Sequence, residues 1–165
     1  DHFAAPSDGL AIAQKAGSLR RNFQGYTDDT SDVLIGVGAS SISRFPQGYT
    51  QNAPATGAHT AAIREGRFSV SKGHAFSDED RLRSRIIEML MCDFRVDTAE
   101  LQQRFAITPE RMTDMFNDTL SAFPDTLEVR NGDLHIPPDA RPLTRIVARS
   151  FDAYDLSKSG HSSAI

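Results

Sequence analysis

The sequence has no tryptophan and only one cysteine, Cys92, in 165 residues. A lone thiol cannot close an internal disulfide, and it cannot by itself hold a structural zinc or an iron–sulfur cluster. Cys92 is therefore expected to be a reduced, buried thiol. Long apolar runs are also lacking. None approaches the ~18 residues of a membrane-spanning helix, and no charged-then-apolar leader opens the chain. Clustered positive charge is missing too. Lys and Arg number 18 against 22 Asp and Glu, a net charge of −4, which argues against a surface built for nucleic acid or anionic lipid. The first residues, Asp1-His2-Phe3, include no initiator Met, as expected of a cut fragment or of a chain whose beginning was removed. What remains is a soluble, globular composition, 39% hydrophobic and 24% charged, long enough for one domain and part of another.

The pattern changes along the chain. Residues 1–60 are rich in Gly, Ser, Thr, Gln and Asn and lack long helical periodicity, although Ala11 to Gly17 could form a short helix ending at the glycine. Their centre, Val33-Leu34-Ile35-Gly36-Val37-Gly38, is a continuous apolar run. It suits a strand buried on both faces, as in a parallel sheet flanked by helices. Residues 45–60 read as a loop broken by Pro46, Gly48, Asn52, Pro54 and Gly57. Residues 61–76 read as a hairpin or extended arm, with Arg67 to Val70 strand-like and Lys72-Gly73 turn-like.

From Ser77 the period becomes helical. Ser77 with Asp80 forms a capping-box-like start, and Leu82, Ile86, Met89 and Leu90 make one apolar stripe. Asp97 or Thr98 caps a second helix. Thr108-Pro109 opens a third, with Met112, Met115, Phe116, Leu120 and Phe123 inward. Asn131-Gly132 between short apolar segments signals a hairpin. A last helix is expected from Pro138 or Asp139 toward Leu156, with Ile146, Val147, Phe151 and Tyr154 on its core face. The tail 157–165 is polar and expected to fray. The fold class is thus α+β, mainly helical: three helices, a small hairpin and a final helix, the order of a winged helix, preceded by a strand and loops.

Several segments carry a resemblance: Asp1 to Ala4, Arg21-Asn22-Phe23-Gln24-Gly25-Tyr26-Thr27, Gly36 to Ser43, Arg85 to Cys92, Phe94 to Asp97, and Phe151-Asp152-Ala153-Tyr154. In this order the chain resembles the C-terminal part of the oxygen-independent coproporphyrinogen III oxidases of the radical S-adenosylmethionine superfamily. The Asn-Phe-Gln-Gly-Tyr-Thr segment is the most specific; the related haem-chaperone branch typically carries a Trp-containing segment there.

The resemblance implies a cytoplasmic enzyme of haem biosynthesis. Its [4Fe–4S] cluster, held by three cysteines upstream, cleaves S-adenosylmethionine to a radical, and two propionates of coproporphyrinogen III become the vinyl groups of protoporphyrinogen IX. It implies that residues 1–60 end a radical SAM α/β barrel and that 61–165 form the C-terminal helical domain, packed against the missing N-terminal radical SAM domain. It implies that Gln24 and Ile42 contact S-adenosylmethionine. A carboxamide can both donate to and accept from a zwitterion, and an Ile at a strand end can pack on its apolar parts. No catalytic residue and no metal ligand is expected in this chain.

Other candidates are weaker. Arg20 and Arg21 could meet substrate carboxylates, although a solvated pair in a loop is the plainer account. The five histidines lack zinc-ligand spacing. Gly36-Val37-Gly38 is half a dinucleotide fingerprint without its third Gly, and Ser40, Ser41 and Ser43 have no paired base. The alternatives are a radical SAM haem chaperone and a DNA-binding winged helix. The latter is opposed by Glu110, Asp114 and Asp118 against Arg111 on the third helix, so neither nucleic acid nor membrane is expected as a partner.

Overall fold

The computed structural model describes residues 4–22 and 24–154. The expectations for His2, Phe3, Phe23, Leu156 and the tail lie outside them. Packing divides the chain into two compact units, Asp1–Arg81 and Leu82–Ile165.

In the first unit, α1 spans Gly9–Lys15. It is capped by the Asp8 carboxylate, which accepts from the Leu10 N–H at 2.8 Å. A tight hairpin follows: β1 (Arg20–Asn22) pairs antiparallel with β2 (Gly25–Thr27), with Arg21 directly opposite Tyr26. A second antiparallel sheet runs in the order β3-β4-β5, with β3 at Ile42–Phe45, β4 at Gly48–Asn52 and β5 at Val70–Ala75. Helix α2 (Thr56–Arg64) joins β4 to β5.

Three expectations fail here. The loop expected at 45–60 contains β4 and most of α2. Of the hairpin or extended arm expected at 61–76, residues 61–64 are instead the end of α2; the extended stretch is β5, and Lys72-Gly73 sits inside that strand, not in a turn, opposite Gln51 and Thr50. Breaker residues marked turns, but pairing between β4 and β5, distant in sequence, overrode the local signal. The apolar run at 33–38 is not a buried strand. It makes a single antiparallel bridge, Leu34 with Arg44, and Val33, Leu34, Ile35 and Val37 are exposed, Val37 at 88%. A strand is buried on both faces only when layers cover both, and the described residues supply one pairing edge.

The second unit is closer to expectation. Helix α3 (Asp78–Asp93) starts at the capping box: Ser77 N–H donates to Asp80 Oδ2 at 2.8 Å, and Asp80 N–H donates to Ser77 Oγ at 3.1 Å. Its stripe Leu82, Ile86, Met89 and Leu90 is buried, as is the free thiol of Cys92. A short strand β6 (Arg95–Val96) leads to α4 (Thr98–Phe105), capped by Asp97, and then to α5 (Pro109–Ala122), capped by Thr108. Strands β7 (Glu128–Arg130) and β8 (Asp133–His135) form a hairpin that β6 joins in the order β6-β8-β7. Asn131 and Gly132 make its turn with φ of 55° and 89°, the left-handed pair such a turn requires.

The final helix is shorter than expected. A 3-10 turn at Arg141–Leu143 leads into α6, which covers only Thr144–Arg149. Val147 and Phe151 are buried, but Ile146 and Tyr154 are more than half exposed. The buried set Thr144, Val147, Ala148 and Phe151 follows the i, i+3, i+4, i+7 spacing. Ile146 lies off that stripe, so its apolarity misled the reading.

Candidate ligand-binding site

The hairpin β1–β2 presents Gln24 in its connection. The Gln24 N–H donates to Asn22 Oδ1 at 2.8 Å, so Asn22 builds a local turn that holds the residue outward. The Gln24 side chain is exposed. On the strand before it, Arg21 is half-buried and lies over the ring of Tyr26, 5.3 Å from guanidinium carbon to ring centre. Its Nε is buried without a hydrogen-bond partner. Arg20 stands opposite Thr27 and is half-buried.

Ile42 opens β3, half-buried and opposite Gln51. The Gly36–Gly38 segment is pressed against it. A Cβ added at Gly36 would lie 2.5 Å from the Ile42 carbonyl oxygen, so only glycine permits this approach. Polar side chains lace the segment to the sheet. Gly36 N–H donates to Ser43 Oγ at 3.0 Å, Asn52 Nδ2 donates to the Gly38 carbonyl at 2.9 Å, and Gln51 Nε2 donates to the Ser40 carbonyl at 3.1 Å. Ser41 Oγ donates to the Val37 carbonyl at 2.6 Å. These serines are structural: their hydroxyls hold backbone. Asn52 and Gln51 were invisible as holding residues because their stretch read as loop, and no spacing signal marks them.

Gln24 and Ile42 lie on two different sheets of the first unit, and no hydrogen bond joins them among the described residues. Beyond β2 the chain carries Asp28, Asp29 and Asp32. Bonds from the Ser31 side chain and backbone hold the Asp29 carboxyl below its ordinary range. Among the described residues, no group of three His, Cys, Asp or Glu side chains is placed to hold a metal ion. No helix there is long and apolar enough to cross a membrane.

In the second unit one charge cluster ties α3 to α4. Arg85 bonds Glu100 through two nitrogens, at 2.7 and 2.9 Å, and Glu88 at 2.7 Å. The Glu100 bonds, with help from Glu88 and against the effect of burial, hold the guanidinium even more firmly protonated than usual.

No family model matches the sequence. Curated relatives do. The chain is 59% identical over 165 residues to an oxygen-independent coproporphyrinogen III oxidase of Paracoccus denitrificans, covering 100% of this chain and 37% of that protein. It is 57% identical over 157 residues to one from Cereibacter sphaeroides, covering 95% and 35%. A solved structure of coproporphyrinogen III oxidase from Escherichia coli, described as a radical SAM enzyme, superposes with a TM-score of 0.85 at 31% identity, covering 94% of this chain and 36% of that one. The chain thus spans about a third of the length of these relatives, and over that span it is similar to oxygen-independent coproporphyrinogen III oxidases.

Proposed function

We propose that the chain is the C-terminal part of an enzyme that oxidatively decarboxylates coproporphyrinogen III to protoporphyrinogen IX without oxygen, in cytoplasmic haem biosynthesis. One observation carries this reading: identity of 59% extends over 100% of the chain to a protein of that name. In this reading, residues 1–60 close a radical SAM α/β barrel whose other strands lie elsewhere in the longer protein, and residues 61–165 form a helical domain of winged-helix-like order. The exposed run from Val33 to Val37 supports the first assignment, because it is a bare apolar edge of the kind a neighbouring strand covers.

Bound S-adenosylmethionine, with a [4Fe–4S] cluster, supplies the radical that begins propionate oxidation. The cluster does not fit this chain. Cys92 is its single thiol, buried, so the cluster's ligands belong to the rest of the longer protein. S-adenosylmethionine does fit. Gln24 offers an outward carboxamide that can donate and accept, and Ile42 offers a half-buried apolar side chain at a strand end. In this reading both residues bind and orient the cofactor; neither moves a proton.

The test uses the longer protein, reconstituted without oxygen. Protoporphyrinogen IX should appear together with cleavage of S-adenosylmethionine; a protein that takes up haem and makes no product would belong to the chaperone branch instead. Gln24→Ala should weaken S-adenosylmethionine binding about ten- to two-hundred-fold, the equivalent of one hydrogen bond to a charged ligand, with cluster content unchanged. Wild-type affinity in that variant would remove Gln24 from the site.

A further inference from the structure

Arg21 stands out for a reason independent of resemblance. Its Nε is the one buried side-chain nitrogen or oxygen among the described residues without a hydrogen-bond partner. A guanidinium is always charged and carries five donors in a rigid plane, and a buried donor of such a group left unpaired is costly. Proteins rarely keep such a donor unless something outside the chain segment completes it. The plane is also fixed. Arg21 faces Tyr26 across the hairpin, and its guanidinium lies over that ring, a contact that holds orientation as well as charge. The acidic residues downstream do not complete it: Asp29 accepts from Ser31, and Asp28 lies beside Gly9, its Oδ2 2.5 Å from where a Cβ there would stand.

We infer that Arg21 binds a carboxylate of the ligand that occupies the Gln24 hairpin. The edge of a guanidinium formed by Nε and one Nη matches the two oxygens of a carboxylate in a fork. Gln24, three residues on, sits in the connection of the same hairpin. This assignment rests on the proposed function for the identity of the ligands, and both of them carry carboxylates: the methionyl end of S-adenosylmethionine and the propionates of coproporphyrinogen III. Arg21 would thus be a specificity-determining residue, recognising the acid group rather than taking part in bond breaking.

The experiment uses the longer protein with Arg21→Lys and Arg21→Gln. Three quantities are read: the equilibrium affinity for S-adenosylmethionine, the KM for coproporphyrinogen III, and the melting temperature without ligand. Lysine keeps the charge but loses the fork, so both variants should weaken one of the two ligands about tenfold to hundredfold, glutamine more than lysine, with melting unchanged. A weaker S-adenosylmethionine affinity at constant KM places the methionyl carboxylate on Arg21; a raised KM at constant S-adenosylmethionine affinity places a propionate there. A lowered melting temperature with both affinities intact would overturn the inference, because Arg21 would then be tied to another part of the protein. Wild-type behaviour in all three readings would overturn it as well. If the wild-type protein binds neither ligand, it is the proposed function that fails, and the variants need not be made to see it.

Discussion

The two units handle apolar surface in opposite ways. In the unit from Leu82 onward, Ile86, Leu90, Val96, Leu101, Leu134 and Val147 are fully buried, and Phe151 and Met89 nearly so. Helices α3, α4 and α5 and the small sheet each contribute, so this unit closes its own core. In the unit before it, the buried hydrophobic residues among those described are Ala13, Leu19 and Ala62, two of them alanines. Many of its large side chains face outward: Ile12, Val33, Ile35, Val37, Ile63, Phe68 and Val70 are all exposed, Phe68 at 93%. Strand pairing, the bonds of Ser43, Gln51 and Asn52, and the edge-on contact of Tyr49 with Phe76 hold its larger sheet together. One unit has a closed apolar interior, and the other leaves many of its large apolar side chains on its surface.

The largest expected effect follows directly. Leu90→Ala or Phe151→Ala should destabilise the second unit by about 3–5 kcal/mol, the usual loss for a large side chain removed from a packed core. Ile35→Ala or Val37→Ala in the isolated chain should change stability by less than about 0.5 kcal/mol, as surface substitutions do. Denaturant unfolding of the four variants measures both. A cost at Ile35 similar to that at Leu90 would show that the first unit has a core of its own.

A sharper comparison uses Arg85, which ties α3 to α4 through Glu100 and is mostly buried. Removing one partner of a largely buried pair strands the other charge. Arg85→Met should therefore cost about 1–3 kcal/mol, and Arg85→Met combined with Glu100→Leu should recover part of that loss. In the first unit, the Glu65–Arg67 pair is open to solvent on both sides. Breaking it should cost no more than about 0.5 kcal/mol. Chemical denaturation of the single and double variants separates the two cases, and an Arg85→Met variant as stable as wild type would reduce the buried pair to an ornament of the surface.

The same contrast explains what could be read in advance. The second unit and the start of α3 that leads into it announced themselves through local signals: the Ser77–Asp80 box, the Asp97 and Thr108 caps, and Asn131-Gly132 each specify structure within a few residues, and each formed as read. The final helix slipped because Ile146 competed with Val147 for the inward face, and only packing decides between neighbours. The first unit depends on partners distant in sequence. Strand β4 was hidden under Gly48 and Asn52 because its pairing with β5 leaves no local trace. Helix α2 begins at Ala55 without a side-chain cap, so no start signal marked it. The Val33–Val37 run was read by its composition, but among the described residues it makes one bridge, Leu34 with Arg44, and stays exposed. Gln24 and Ile42 came from resemblance alone; composition and spacing would have left them as a turn and a strand residue.

The smallest expected effect is a dependence on pH. Asp133 is placed against Thr98 N–H at 2.9 Å, Thr98 Oγ1 at 2.8 Å and Arg95 Nε at 2.9 Å, joining β8 to the start of α4 and to β6. Partial burial alone would raise its pKa, but the two Thr98 bonds and the Arg95 charge outweigh it and hold the carboxyl below its ordinary value of 3.8. A carboxyl whose folded pKa lies below its unfolded one takes up its proton first in the unfolded chain. Its stabilisation is therefore complete above about pH 4 and fades as the pH falls through the lower folded value. Asp133→Asn should cost about 1–2 kcal/mol at neutral pH, and the gap to wild type should close on acidification below that point. Asp29 in the first unit is also held low, by Ser31. Its bonds reach only two residues along an exposed turn, so they persist in part when the chain unfolds and add little difference between the two states. Stability curves from pH 2 to 7 for Asp133→Asn and Asp29→Asn should diverge from wild type in the first case and run parallel to it in the second. A constant offset for Asp133→Asn across the whole range would mean that its contribution is shape rather than charge.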